Sequence, residues 1–258
     1  MFNKIWYYEN TYPEMIEAYN VNNNAYPLIN FDDISENDLV CIETHKLPSW
    51  DSNFLIINTL ESFIHSKNAY LLVDNSFITG YTYNPLIESK ADFCIESLSK
   101  SACGYNTSLL GTLIGKDTNN IRKIIGKCKD LKRVLGFYPH PIDCYLTQLG
   151  LETLSLRLNK IKETTTYITT KLKNINVKYN TILEAGLIFI PFVHTFELKN
   201  ITNIPIFQFG DTFGVNFSLI TYWPLHNCLR ISIGLENKDD LLDSLLTIKD
   251  YLIELQKW

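Results

Sequence analysis

The chain has 258 residues, 46% hydrophobic and 20% charged, enough to build a sizeable core. A formal net charge of -5 without a block of Lys or Arg argues against nucleic acid and anionic membrane as partners. No apolar run approaches the ~20 residues of a membrane span, and the start Met1-Phe2-Asn3-Lys4-Ile5-Trp6 lacks a signal peptide's apolar region.

The six cysteines (Cys41, Cys94, Cys103, Cys128, Cys144, Cys228) are scattered without a C-x-x-C pair. They read as reduced thiols of a cytoplasmic protein, with no disulfide or metal role.

In chain order, Pro13–Tyr19 is expected as a short helix and the asparagine run before Pro27 as a loop. Asp38–Thr44 reads as a strand. Ser52–His65 reads as an amphipathic helix with Phe54, Ile56, Leu60 and Phe63 inward. Ala69–Val73 is too short and too continuously apolar for an amphipathic helix, so a buried strand ending at Asp74 is expected. Ala91–Ile95 repeats the pattern ahead of Ser97-Leu98-Ser99-Lys100. A carboxylate and a lysine at the ends of two buried strands stand where an open α/β sheet places ligand-facing groups.

Ser108–Ile114 returns as a strand, and Asn119–Val134 is a basic helix whose charges read as a solvated face. A long helix over Leu151–Leu172 leads into a smaller C-terminal part with apolar runs Gly186–Val193 and Phe207–Phe217 and a closing helix Lys238–Gln256. The expected division is residues 1–150 and 151–258.

Several motifs occur in order: Asp74-Asn75-Ser76-Phe77, Asn84-Pro85-Leu86, Ala91-Asp92, Ser97-x-Ser99-Lys100 with Gly104, and Gly111-x-x-x-Gly115-Lys116-Asp117. Together they resemble the core of the Cys/Met-metabolism pyridoxal-phosphate enzymes, the relatives of cystathionine γ-synthase, cystathionine lyases and methionine γ-lyase. The resemblance implies an α/β fold of PLP-dependent fold type I, a mostly parallel sheet sandwiched by helices with a smaller α+β domain. It implies pyridoxal 5'-phosphate as cofactor, Asp74 as partner of the pyridine nitrogen, and Lys100 as the Schiff-base lysine. Ser97 and Ser99 become the phosphate hydroxyls.

A buried carboxylate keeps the ring nitrogen protonated, and a desolvated lysine is the better nucleophile. Tyr8, in Tyr8-Glu9-Asn10-Thr11-Tyr12, matches the family's stacking tyrosine. Thr212, in Thr212-Phe213-Gly214, and Arg230, in Leu229-Arg230-Ile231-Ser232, match its substrate-carboxylate ligands; a planar guanidinium suits that anion.

The pattern also departs from the family. Glu9 and Asn10 replace two glycines, Leu47 stands where the family has an asparagine, Tyr105-Asn106-Thr107 replaces a His-Ser-Asp triplet, and His140 replaces a small residue. The family's N-terminal arm and phosphate-cradling helix start have no counterpart here, so a second chain is expected to complete the phosphate cup. Two readings stay open. One is an enzyme working by β/γ-elimination or γ-replacement on a sulfur-containing or γ-substituted amino acid, as a homo-dimer or tetramer or in a hetero-oligomer. The other is a catalytically degenerate regulatory or scaffolding relative.

Overall fold

The computed structural model describes residues 2–8, 11–22, 24–45, 53–193, 204–223 and 227–256. It divides into two compact units: Met1–Leu98 with Leu110–Cys144, and Ser99–Leu109 with Tyr145–Trp258. Ser99–Leu109, which lies within 1–150 in sequence, thus groups with the C-terminal unit.

The first unit holds β1 (Ile5–Tyr7), β2 (Ala25–Pro27), β3 (Leu39–Glu43), β4 (Tyr70–Asp74), β5 (Phe93–Ser97) and β6 (Gly111–Gly115), in the order β2-β1-β3-β4-β5-β6. Every neighbouring pair is parallel except β5–β6. Its helices are α1 (Pro13–Tyr19), α2 (Phe54–Ser66), α3 (Thr79–Thr82), α4 (Pro85–Glu88) and α5 (Asn119–Leu135).

Both faces of the parallel strands are apolar because both are covered. Val40, Ile42, Leu71 and Val73 pack with Ile57, Leu60 and Ile64 of α2. The alternate residues Leu39, Cys41, Leu72 and Phe93 pack with Ile121 of α5. Each large aliphatic side chain so buried contributes about 1.5–3 kcal/mol. The Thr118 hydroxyl accepts from the Ile121 amide at the start of α5, and Gly136, at φ 72°, closes its end.

The second unit holds β7 (Asn180–Ile182), β8 (Leu187–Pro191), β9 (Gln208–Phe209), β10 (Leu219–Trp223) and β11 (Cys228–Ser232), in the order β7-β8-β11-β10-β9. Only β9–β10 is parallel in this sheet. Helix α6 (Pro141–Asn174) runs into the unit, and α7 (Lys238–Leu246) and α8 (Lys249–Glu254) close it. Ile161, Ile168 and Leu172 of α6 share a core with Ile188, Ile220, Ile231, Leu241 and Leu252.

Three expectations are refined. The buried face of α2 is Ile57, Leu60 and Ile64, whereas Phe54, Ile56 and Phe63 are half-buried. The run Phe207–Phe217 forms only a two-residue strand, and the closing helix breaks at Thr247–Ile248, where the Thr247 hydroxyl donates to the Ser244 carbonyl. Among the described residues no helix is long and apolar enough to cross a membrane.

Candidate active site

In the first unit the backbone sets the geometry. The parallel registers place Glu43 beside Asp74 and Asp74 beside Ile95, so the carboxyl ends of β3 and β4 lie level and β5 runs two residues farther, to Ser97. The Ser76 amide donates to Asp74 Oδ1 at 2.9 Å, and the Ser97 amide donates to Ser76 Oγ at 3.0 Å. Asp74 and Ser97 thereby border one turn after β4. Burial pushes the carboxyl of Glu96 up to about 7, against two contacts from the Gly80 amide. Burial likewise pushes the Cys41 and Cys94 thiols up to about 12, with the Asp74 charge adding to both, so these thiols are inert.

Tyr8 follows β1. Its amide donates to the Cys41 carbonyl, and its ring stacks on Phe31 with centroids 6.5 Å apart, at the margin of the α2-side core. His45 is buried edge-on to Phe54 and Phe77. Glu9, Asn10 and Leu47 lie outside the described residues.

In the second unit close packing sets the geometry. The turn that carries Lys100 is closed by the Gly104 amide donating to the Lys100 carbonyl at 2.9 Å. Gly104 has φ +77°, and a Cβ there would fall 2.4 Å from the Arg157 guanidinium. Gly150 meets the Cys103 carbonyl and Gly214 meets Ser101 just as closely. Small residues around the lysine are therefore a packing requirement. Arg157 is buried and donates to Thr153 Oγ1 and to the Ala102 and Gly150 carbonyls, tying α6 to the lysine turn. Burial raises the pKa of the Cys103 thiol, but hydrogen bonds from Ser108, Thr107 and the Thr107 and Tyr105 amides outweigh it and bring the thiol to about 7. Ser99 is half-buried in the same turn.

Lys100 Nζ lies 4.2 Å from the centroid of the Phe213 ring. Arg230, 2% exposed in β11, faces the same ring with Cζ 5.7 Å from its centroid and lies 4.4 Å from that of Trp223. Its Nη2 donates to Asp211 Oδ1 at 3.3 Å, the Thr212 carbonyl at 3.0 Å and Thr221 Oγ1 at 3.1 Å. Thr212 thus meets the arginine through its backbone. A cation over an aromatic face is favourable by about 0.5–2 kcal/mol, so Phe213 holds both cations. Sequence reasoning missed Phe213, Trp223 and Asp211. The first two carry no signal outside the fold, whereas Asp211 adjoins the matched Thr212.

A model of the Cys/Met metabolism PLP-dependent enzymes matches residues 27–187, more than half of the chain. The chain belongs to this family. Pyridoxal 5'-phosphate is the cofactor of this family. Cystathionine gamma-lyase of Bos taurus is 28% identical over 252 residues, covering 81% of this chain and 60% of the relative. Cystathionine gamma-synthase of Haemophilus influenzae is 26% identical over 69% of this chain and 53% of its own length. The chain thus spans about 60% or less of these two relatives.

Among solved structures, apo CalE6, a methionine gamma lyase from Micromonospora echinospora, superposes with a TM-score of 0.81 at 20% identity, over 96% of this chain and 76% of the other. Cystathionine gamma-lyase from Lactobacillus plantarum gives 0.81 at 18% identity. These likenesses show the fold.

Taken unit by unit, the first unit offers the Asp74 carboxylate at a strand end and the second the Lys100 primary amine, group types that suit the cofactor's ring nitrogen and its aldehyde. Ser97 in the first unit and Ser99 in the second carry hydroxyls, and Lys100 is the one cation in the stretch Ser97–Gly104. No cluster of three His, Cys, Asp or Glu among the described residues could hold a metal ion.

Proposed function

We propose that the chain is a PLP-dependent enzyme, or the catalytic part of one, acting on a sulfur-containing or γ-substituted amino acid by β/γ-elimination or γ-replacement. The observation that carries this reading is Lys100 and Arg230 gathered against one Phe213 ring. A proton-transfer amine and a carboxylate-binding guanidinium are the two cations such a reaction needs.

Bound pyridoxal phosphate supplies an electron sink for charge developing at the substrate's α-carbon. Asp74 would hold the proton on the ring nitrogen, Lys100 would anchor the cofactor and carry the α-proton, and the Ser97 and Ser99 hydroxyls would donate to the phosphate. Arg230 binds the substrate carboxylate, exchanging its contacts with Asp211 and the Thr212 carbonyl for a bidentate pair, and the Thr212 hydroxyl assists. Tyr8, whose ring here stacks on Phe31, would stack on the cofactor ring and assist proton transfer in this reading. With one cation in the stretch Ser97–Gly104, a further chain would complete the phosphate cup, in a homo-dimer, tetramer or hetero-oligomer.

The second reading, a regulatory or scaffolding relative, is favoured by the stacking of Tyr8 on Phe31. The deciding experiment incubates the protein with pyridoxal phosphate, records the absorption spectrum and reduces with borohydride. A yellow band and a cofactor mass fixed on Lys100, absent in Lys100→Ala, are expected. No band, with wild type and variant alike, would leave the scaffolding reading for the isolated chain.

A further inference from the structure

The second unit buries a guanidinium that no described carboxylate faces. Arg157 of α6 is 4% exposed and lies across the turn around Cys103. Its Nη2 donates to the Ala102 carbonyl at 3.2 Å, and its Nη1 lies against Gly104, where a Cβ would fall 2.4 Å away. Nη1 is itself buried and has no hydrogen-bond partner among the described residues. The ionisable groups that act on Arg157 are Tyr105 and Cys103, and no acid stands among them. Tyr105 is 50% exposed, whereas Cys103 is fully buried. A buried charge left without a nearby anion is costly.

The Cys103 sulfur is ringed by donors. Thr107 Oγ1 lies 3.5 Å from Sγ, and Ser108, whose hydroxyl meets Thr147 Oγ1 of α6 at 2.8 Å, stands beside it. These hydroxyls and the Thr107 and Tyr105 amides bring the thiol to about 7. Burial instead pushes Cys41, Cys94 and Cys228 up to about 12 and raises Cys128 as well. Thr107 is exposed, so a single side chain separates the Cys103 sulfur from solvent. The sulfur does not take up Arg157 Nη1, so a donor on a buried cation is left for an acceptor that the reduced thiol does not provide.

We propose that Cys103 is a peroxide-reactive thiolate whose oxidised form, a sulfenate, is held by the unpartnered N–H of Arg157. The thiolate sulfur attacks one oxygen of hydrogen peroxide, an S–O bond forms and the O–O bond breaks. Sulfur gives up two electrons and the peroxide takes them. The proton on the transferred oxygen goes to the departing hydroxide, which leaves as water, and the sulfenate keeps the negative charge. Its oxygen is the acceptor that Nη1 lacks, and its charge faces the buried guanidinium. The thiols raised by burial stay protonated and do not react this way. No step uses a cofactor, so this test and the borohydride test fail independently.

The test exposes the full chain to hydrogen peroxide, removes the excess with catalase, alkylates the remaining thiols in denaturant and maps them by peptide mass spectrometry. At pH 7, Cys103 should lose its alkylation at least about tenfold faster than the exposed Cys144, with the intact mass rising by one oxygen. Dithiothreitol should restore the thiol. The rate should rise roughly tenfold from pH 6 to pH 8, as the ionised fraction does for a thiol titrating near 7. Oxidation should raise the thermal midpoint of the wild type by at least about 2 °C and leave Cys103→Ser unchanged. Arg157→Lys, which keeps the charge but loses the fork, should still oxidise yet show no such rise. The wild-type rates and midpoint decide the matter even where that variant fails to fold. Equal loss at Cys103 and Cys144, a rate flat between pH 6 and 8, or a midpoint unchanged or lowered by oxidation would overturn the proposal.

Discussion

In the first unit the candidate groups stand at the ends of parallel strands, and the hydrogen-bonded register alone levels Asp74 with its neighbours on β3 and β5. In the second unit no register brings Lys100 to Arg230. A lysine turn, a loop and a central strand converge because glycines permit close approach and one aromatic ring is shared by two cations. Backbone pairing tolerates most side chains, so the first arrangement survives substitution. The second depends on the absence of single carbon atoms, so its sequence tolerance is narrow.

The largest test of that contrast is Gly104→Ala. Its Cβ would meet the Arg157 guanidinium at a positive φ, so a loss of about 2–4 kcal/mol is expected in urea unfolding. A loss under 1 kcal/mol would show that the second unit is not packed to that tolerance.

Next is Arg230→Lys, which keeps the charge but loses the planar fork. If Arg230 clamps the substrate, KM should rise roughly ten- to a hundredfold in steady-state kinetics, about 1.4–2.8 kcal/mol, with kcat less affected. A fall in kcat alone would place Arg230 in some other role.

The two units should also answer pH with opposite sign. Glu96 in the first unit is raised from its ordinary value to about 7. Its contribution is therefore present below pH 4.5 and lost as pH rises through about 7. Glu96→Gln should stabilise the protein at pH 8 by on the order of 1 kcal/mol and do nothing at pH 4.5. Cys103 in the second unit is lowered from 9.0 to about 7. Its contribution is present above pH 9 and lost as pH falls through about 7, so Cys103→Ala should flatten the gain in stability between those values. Denaturation midpoints at pH 4.5, 7, 8 and 9 measure both, and matching slopes in the two variants would refute the contrast.

The smallest expected effect is Gly126→Ala on α5, where a Cβ meets nothing within 4 Å. A gain of about 0.5–1 kcal/mol is expected, because helix propensity there is unopposed.

The family motifs were legible because they are local: Asp74 ends an apolar run, and Ser97-x-Ser99-Lys100 follows another. Both runs are strands, β4 and β5, and the basic stretch is the helix α5. The break at Thr247–Ile248 and the short β9 were not legible, since both depend on what the segment packs against. Phe213 was invisible for the same reason: an apolar residue between Thr212 and Gly214 looks like any core position until Lys100 and Arg230 are found on its ring.

By itself, the sequence determined the α/β layering and family membership, because hydrophobic period and motif order are properties of the chain taken residue by residue. Only the tertiary structure decided that Ser99–Leu109 groups with the C-terminal unit and that Arg230 is held by Asp211 and Thr212. Both are outcomes of close packing among residues distant along the chain.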